Sequence, residues 1–299
     1  MKVFVTGAAG FIGRAVVEQL TKNGHQALGL ARSDASAQKI RAAGGEVHNG
    51  DLDDIESLKS GAKAADGVIH LAFVHDFSEE GFAKALETDR AAIAAMADAM
   101  EGTGKPLIIA GGTLLVAGID RANEDTKPAD TLAVFSQRGK SEDLVQQLSK
   151  EKNIRGMCIR LSPTVHGSGD WGFVTQLGSS AQKNGFVTNV NDGSSRWPAV
   201  HRYDAADLFV LALEKGTAGA VYHAAAEEVT TGQIMAKIGE KLKLPVKDVP
   251  QQEAFGLIGF FALPVGADNP ISSDKTKNAL GWTPSQPDLL RDIEENYQW

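Results

Sequence analysis

Met1-Lys-Val-Phe-Val-Thr6-Gly7-Ala-Ala-Gly10-Phe11-Ile12-Gly13 opens the chain and decides how the rest is read. Val3 to Val5 has the composition of a short buried strand and Phe11 onward that of a helix, with a Gly-x-x-Gly-x-x-Gly turn between them. Each glycine has its own reason to be there. Gly7 permits the tight turn out of the strand, Gly10 lets the backbone approach a pyrophosphate, and Gly13 allows close helix–strand packing. The free N–H groups and positive end of the following helix would then hold the phosphates. A glycine triplet alone is a weak signal. Its place between a predicted strand and a predicted helix turns it toward dinucleotide binding.

Outward from that turn the rhythm repeats. The first helix runs from Phe11 to about Asn23, and Gln26–Ala31 reads as a second strand. Helix, strand and helix follow as Ala35–Ala43, Glu46–His48 and Asp53–Gly61, then a fourth strand as Gly67–Ala72. An Ala-rich helix covers roughly Gly81 to Met100, Pro106–Ala110 is a fifth strand, Ser136–Lys150 a helix and Met157–Leu161 a sixth strand. Strands alternating with long helices imply a parallel sheet with right-handed crossovers, hence a doubly wound α/β (Rossmann) layer. Past Leu161 the pattern loosens. Gly, Ser and Asn dominate to Trp197, with a helix-like piece at Phe173–Lys183; a strand-then-helix pattern returns over Val200–Leu213, and Val221–Ala224 resembles one more sheet strand. Thr230–Leu242 reads as an amphipathic helix behind a Thr cap. Residues 1–165, completed by about 198–226, are therefore expected to form the dinucleotide-binding domain. The stretches 166–197 and 227–299 are expected to form a smaller, interleaved C-terminal substrate region over the carboxyl ends of the strands.

Composition narrows the partners. The 299 residues are 42% hydrophobic and 23% charged, ordinary for a globular domain. A net charge of −8 argues against nucleic acid, because phosphate binding needs a basic face. The single cysteine, Cys158, sits in a strand-like run and reads as inert core. His, Cys and Asp show no metal spacing. Met1 leads straight into a strand, with no room for a signal peptide, and the apolar stretch Phe255–Ala267 is broken by Gly256, Gly259, Pro264 and Gly266. The expectation is a cytoplasmic protein with no membrane partner.

Several separated motifs share one source. Thr6–Gly13, Gly50-Asp51-Leu52, Val68-Ile-His70-Leu71-Ala72, Arg160-Leu-Ser-Pro163-Thr-Val165-His166-Gly167, Pro198-Ala-Val-His201-Arg-Tyr203-Asp204 and Leu280-Gly-Trp282-Thr-Pro284 resemble the extended short-chain dehydrogenase/reductases. That group includes nucleotide-sugar epimerases, dehydratases and hydroxysteroid dehydrogenases. The likeness covers nearly the whole chain. It implies a Rossmann domain binding NAD or NADP, with contacts from Gly7, Gly10, Phe11, Ile12, Gly13, Asp51, Leu52, Leu71, Ala72, Phe73, Pro163 and Val165. Relatives often dimerise through a helix pair such as Gly81–Met100 with Ser136–Lys150, so a homodimer is implied by resemblance alone.

Cofactor choice is read at the end of the second strand. An acidic residue there suits the ribose hydroxyls of NAD, whereas an arginine suits a 2′-phosphate. Arg32 with Ser33 can grip a phosphate dianion, so NADP is favoured and NAD is the second choice. The bland alternative leaves Arg32 a solvated charge and makes Asp34 the cap of the next helix.

The family's chemistry uses a Ser or Thr, a Tyr and a Lys four residues beyond the Tyr. Thr113 falls where the Ser or Thr belongs, counted back from Gly118, but the Tyr is missing. In one alignment Arg138 replaces Tyr and Glu142 replaces Lys; in the other Ser136 replaces Tyr and Lys140 is the retained Lys. We prefer the first, because Gly139 and Ser141 also match. Asp89 stands where the extended family often has Asn. Arginine cannot donate a proton cheaply. Another donor is then needed, with His166 the leading candidate, followed by Tyr203 and His201. Arg138 and Glu142 equally fit a surface i, i+4 ion pair worth about tenths of a kcal/mol. Arg196-Trp197 could clamp an anionic or aromatic substrate, and Phe255–Phe261 could wall an apolar pocket.

Three functions stay open on these residues. The first is an NADP-dependent oxidoreductase (carbonyl reductase or alcohol dehydrogenase type) acting on a small, fairly apolar substrate with a non-standard proton donor. The second is a non-catalytic NADP-binding redox sensor or regulator. The third is an isomerase, epimerase or lyase of the nucleotide-sugar type.

Overall fold

The computed structural model describes residues 1–76, 78–128 and 133–299, with the side chains of 79 and 133–136 outside the description. The strands are β1 (Lys2–Thr6), β2 (Gln26–Ala31), β3 (Glu46–Asn49), β4 (Gly67–His70), β5 (Pro106–Gly112) and β6 (Arg155–Leu161). They continue as β7 (Thr164–His166), β8 (Val187–Val190), β9 (Arg196–His201), β10 (Val221–Ala224), β11 (Glu227–Thr230) and β12 (Val246–Val249). The helices that matter below are α1 (Phe11–Lys22), α2 (Asp34–Ala42), α3 (Ile55–Lys63), α4 (Glu79–Ala99), α5 (Ala133–Glu151), α6 (Phe173–Asn184), α7 (Arg202–Lys215) and α8 (Thr231–Leu242).

Seven strands form one sheet in the order β10-β6-β5-β4-β1-β2-β3, every pairing parallel. The period-2 alternation of β1 explains why both faces must be covered. Val3 and Val5 join one core with Val16, Val17 and Leu20 of α1 and Phe209 and Leu213 of α7. Phe4 between them joins the opposite core, with Leu58 of α3, Ile93 and Met96 of α4 and Val145 of α5. The chain leaves β1 toward β2 on one side and returns to β4 on the other, so a crevice opens beyond the carboxyl ends of β1 and β4.

The C-terminal segments build a third core from Leu177, Val187, Trp197, Ile234, Ile238 and Ile293. It carries a three-stranded sheet, β11-β9-β7, and a parallel pair, β12-β8. Two motifs distant in sequence meet at the first core, with Trp282 Nε1 donating to the Asp204 carbonyl of α7 at 2.9 Å. Trp197 is fully buried and donates to the carbonyls of Pro264 and Ala267, while Arg196 is held by Asp268 at 2.6 Å. The expected substrate clamp is thus corrected: this pair is core and a structural ion pair. Phe261 likewise packs edge-on against Phe173, at 5.2 Å between ring centroids.

Local chemistry shifts several boundaries. β4 stops at His70 rather than Ala72, because the Ala72 N–H turns to the Thr6 hydroxyl at 3.2 Å. α3 starts at Ile55 rather than Asp53, capped by Asp54, which accepts from the Ser57 N–H at 3.0 Å. Ser33 rather than Asp34 caps α2, accepting from the Ser36 N–H at 3.3 Å. Thr230 does cap α8, in a capping box with Gln233.

At the opening turn Gly7 takes φ +68°, and a Cβ on it would lie 2.7 Å from the Ala72 nitrogen. A Cβ on Gly13 would stand 2.0 Å from the Gly7 carbonyl oxygen, well inside contact distance. Gly13→Ala should therefore cost about 1–3 kcal/mol in urea denaturation. The same variant should lose the heat of nicotinamide-coenzyme binding in calorimetry.

Candidate active site

The crevice presents a cradle for a dinucleotide. The first turn of α1 has no side-chain cap, and Gly10 closes the turn by donating to the Gly7 carbonyl at 2.9 Å. Its remaining N–H groups lie at a positive helix end with no Cβ at Gly7 or Gly10 to block approach. Leu71, Ala72 and Phe73 leave β4 against this turn. Arg32 is exposed at the end of β2 beside Ser33, whose Oγ is within 3.1 Å of Ser36 Oγ. Asp51 and Leu52 follow β3, and Asp51 accepts from the Asp53 N–H at 3.4 Å. Phe11 and Ile12 begin α1, and Pro163 and Val165 lie at and just beyond the end of β6. The residues present fit a nicotinamide dinucleotide, with uncapped backbone donors at the start of α1 for a pyrophosphate.

A buried polar chain runs from that turn to α5. Thr6 Oγ1 accepts from Ala72 N–H at 3.2 Å and lies 2.7 Å from His70 Nδ1. His70 Nε2 then donates to Asp89 Oδ1 at 3.3 Å, and Ser141 donates to Asp89 Oδ2 at 2.6 Å. Arg138 Nη1 stands 3.7 Å from Asp89 Oδ1, while its Nη2 donates to the Ala110 carbonyl of β5 at 2.8 Å. The guanidinium lies over the Phe73 ring, 3.9 Å from its centroid. Burial opposes ionisation of Asp89, but the His70 hydrogen bond, the Arg138 charge and Ser141 together hold its carboxyl below the usual range. Arg138 thus reaches the carboxyl end of β5 at the edge of the crevice.

Thr113 begins a short 3-10 turn directly after β5; it is fully buried and accepts from Asn269 Nδ2 at 2.9 Å. Asn269 is a residue that sequence reasoning missed. Its only signal was a lone Asn in an irregular stretch.

Other expected residues sit elsewhere. Glu142 does not pair with Arg138; it takes Arg160 of β6 in a buried two-bond ion pair, at 2.7 and 2.8 Å. The surface i, i+4 pair is thereby corrected, because α5 turns Glu142 onto the sheet. Arg160 Nη1 donates to His223 Nε2 at 3.3 Å, and His223 Nδ1 donates to the Ser272 carbonyl at 2.9 Å, so His223 is neutral. Burial and the Arg160 charge hold it down to about 4, against Glu124 and the Ser272 carbonyl. Lys140 is exposed, roughly 200° round the helix from Arg138. The side chain of Ser136, the other half of that alignment, lies outside the described residues.

His166 is 1% exposed, with Nδ1 2.8 Å from Asp292 and Nε2 3.8 Å from Glu227. Its ring packs edge-on to His201 at 5.3 Å, which places it in the β7–β9 core rather than beside Arg138. His201 caps α7 and is itself held down to about 4 by burial and by His166. Tyr203 donates to Glu18 of α1 at 2.7 Å, and that bond, with burial, raises its hydroxyl. Neither His166 nor Tyr203 is hydrogen-bonded to Thr113 or Arg138.

No described helix is long and apolar enough to cross a membrane. Among the described residues no group of three His, Cys, Asp or Glu is placed to hold a metal.

With that geometry established, comparison with known proteins becomes informative. Residues 3–225 match the NAD dependent epimerase/dehydratase family. An uncharacterized protein of Schizosaccharomyces pombe is 42% identical over 294 residues, covering 98% of each chain. One of Saccharomyces cerevisiae is 42% identical over 300 residues, covering 99% of each. The double mutant of DesIV, a dTDP-glucose 4,6-dehydratase of Streptomyces venezuelae solved with NAD bound, superposes with TM-score 0.80 at 18% identity, covering 99% of this chain and 95% of that one.

Asp89→Asn should lower stability by about 1–3 kcal/mol at pH 7, since it strips Arg138 of its counter-charge. Because the Asp89 carboxyl is depressed in the fold, its contribution is present at neutral pH and lost as pH falls through the depressed value. Two histidines act higher on the scale. Unfolded His223 and His201 take up protons from about pH 6.5 downward, whereas the folded groups resist until about 4. The urea midpoint should therefore fall between pH 7 and pH 5, and His201→Gln should flatten that fall.

Proposed function

The chain belongs to the NAD dependent epimerase/dehydratase family, and we propose that it is an NADP-dependent oxidoreductase acting on a small, fairly apolar carbonyl compound or alcohol, with no tyrosine as its proton donor. The observation that carries this reading is Arg138, anchored to the Ala110 carbonyl at the carboxyl end of β5 with its Nη1 left without a hydrogen-bond partner. It sits where the resemblance places the family's tyrosine, next to a cradle that the glycines keep open.

The bound coenzyme supplies hydride chemistry; the chain supplies everything else. The turn at Gly7–Gly10 and the start of α1 would hold the pyrophosphate, and Arg32 with Ser33 would select the 2′-phosphate. Arg138 sets a fixed positive charge beside the oxygen on which negative charge develops during reduction, which is electrostatic rather than acid catalysis. Thr113 is fully buried and accepts from Asn269, so it fixes the exit of β5 beneath Arg138's anchor rather than touching the substrate. Water is the proton source in this reading, because His166 is closed off against Asp292.

The test is direct. Calorimetry should give tighter binding of NADPH than of NADH, with Arg32→Ala erasing the difference. NADPH oxidation across a carbonyl panel should show turnover, cut by about 10²–10³ in Arg138→Met with coenzyme affinity unchanged. Tight NADPH binding with no turnover across the panel would overturn the reading.

A further inference from the structure

The mouth of the crevice is lined by an unusual set of groups for a site that handles neutral sugars or sterols. Phe73 lies face-on to the Arg138 guanidinium, and the same ring meets Phe82 at 6.1 Å and His75 at 5.6 Å, both edge-on. His75 in turn meets Trp171 perpendicular at 5.0 Å. Trp171 is 52% exposed, yet its loop is pinned, since Asp170 accepts from Gly172 N–H at 2.6 Å and from the Tyr297 hydroxyl at 2.7 Å. An exposed indole on a fixed loop is a wall kept in place for something flat.

Charge narrows what that is. Arg138 Nη1 is buried without a hydrogen-bond partner, and among the described residues the carboxylate beside it, Asp89, gives both oxygens to His70 and Ser141. Leaving such a donor unsatisfied is costly, so a bound acceptor returns what the apo site gives up. Among the described residues, Asp76 is engaged by Ser78 and Asp170 by Tyr297. Partial desolvation and then the Arg138 charge hold His75 below its ordinary value, so at neutral pH it adds a flat face rather than a second cation. Nη1 carries two N–H groups, enough for one carboxylate oxygen and an adjoining carbonyl oxygen.

We propose that Arg138, Phe73, His75 and Trp171 form a receptor for an aryl 2-oxo carboxylate (or its 2-hydroxy acid), which is the substrate class of the oxidoreductase; this rests on the reading above for its location in the active site. The ring lies along the aromatic wall, and the carboxylate with its neighbouring oxygen meets Arg138. The apolar character expected of the substrate is then the aryl group, and the arginine both fixes the anion and stabilises charge at the carbonyl.

Binding tests this without turnover. Benzoylformate added to the NADP⁺-saturated protein should quench fluorescence and raise the melting temperature, with the quench, but not the melting shift, lost in Trp171→Phe. Its neutral amide and pyruvate, which lacks the ring, should each bind about tenfold more weakly or worse. Arg138→Met should erase the preference for the anion over the amide, and Phe73→Leu should erase the preference over pyruvate. Equal affinity for benzoylformate and its amide, or an Arg138→Met protein that binds benzoylformate like the native one, would overturn the proposal. Should Arg138→Met fail to fold, Arg138→Lys is read instead, and an unchanged affinity there and in Phe73→Leu overturns it. Benzoylformate binding that persists while both coenzymes fail to bind would uphold the receptor and remove the oxidoreductase reading.

Discussion

Everything in this molecule is arranged around how near α1 can come to the turn that precedes it. The Gly13 Cα approaches the Gly7 carbonyl so closely that one added carbon would overlap it, and Gly7 in turn abuts the backbone where β4 ends. That contact fixes the first helix end over the crevice. It also brings the exit of β4, with Leu71 to His75, to the same place. The polar chain from Thr6 through His70 to Asp89 is a second consequence, since Thr6 sits one residue before the turn and is bonded to Ala72 and His70 at once. The geometry that admits a pyrophosphate and the geometry that positions Arg138 are therefore mechanically one.

Arg138 and Asp89, each unlike the residue that the resemblance implies, balance one another. An arginine where a tyrosine is expected places a permanent charge in a largely buried position, and buried charge is tolerated only when balanced. Asp89, where an asparagine is expected, supplies the balance at 3.7 Å and is itself steadied by His70 and Ser141. The remaining substitution, Glu142, answers to a different partner. It neutralises Arg160 inside the sheet-facing side of α5 and is 2% exposed.

The doubly wound sheet was legible because its strands are apolar runs punctuated by glycine, and periodicity reports burial faithfully. Val221–Ala224 emerges as a sheet strand with the expected limits. Boundaries set by side-chain hydrogen bonds were not legible, as at Asp54 and Ser33, since several nearby residues could serve equally as caps. The opening turn could be read from glycine spacing set between a strand pattern and a helix pattern. The surroundings of Arg138 could not, because Phe73, Asp89 and Ala110 come from separate parts of the chain and meet only through the fold. His166 shows the same limit: its loop-like sequence setting gives no hint that Asp292, far downstream, buries it.

The Glu142–Arg160–His223 cluster limits what α5 can exchange. Where the resemblance implies a lysine, Glu142 bolts the helix to its sheet through Arg160. Restoring tyrosine at 138 would orphan Asp89 and still lack a lysine, while restoring lysine at 142 would set a cation against Arg160. A tyrosine at 138 or a lysine at 142 is therefore tolerated only together with changes at Asp89 or Arg160, so these positions are held as one unit by charge balance.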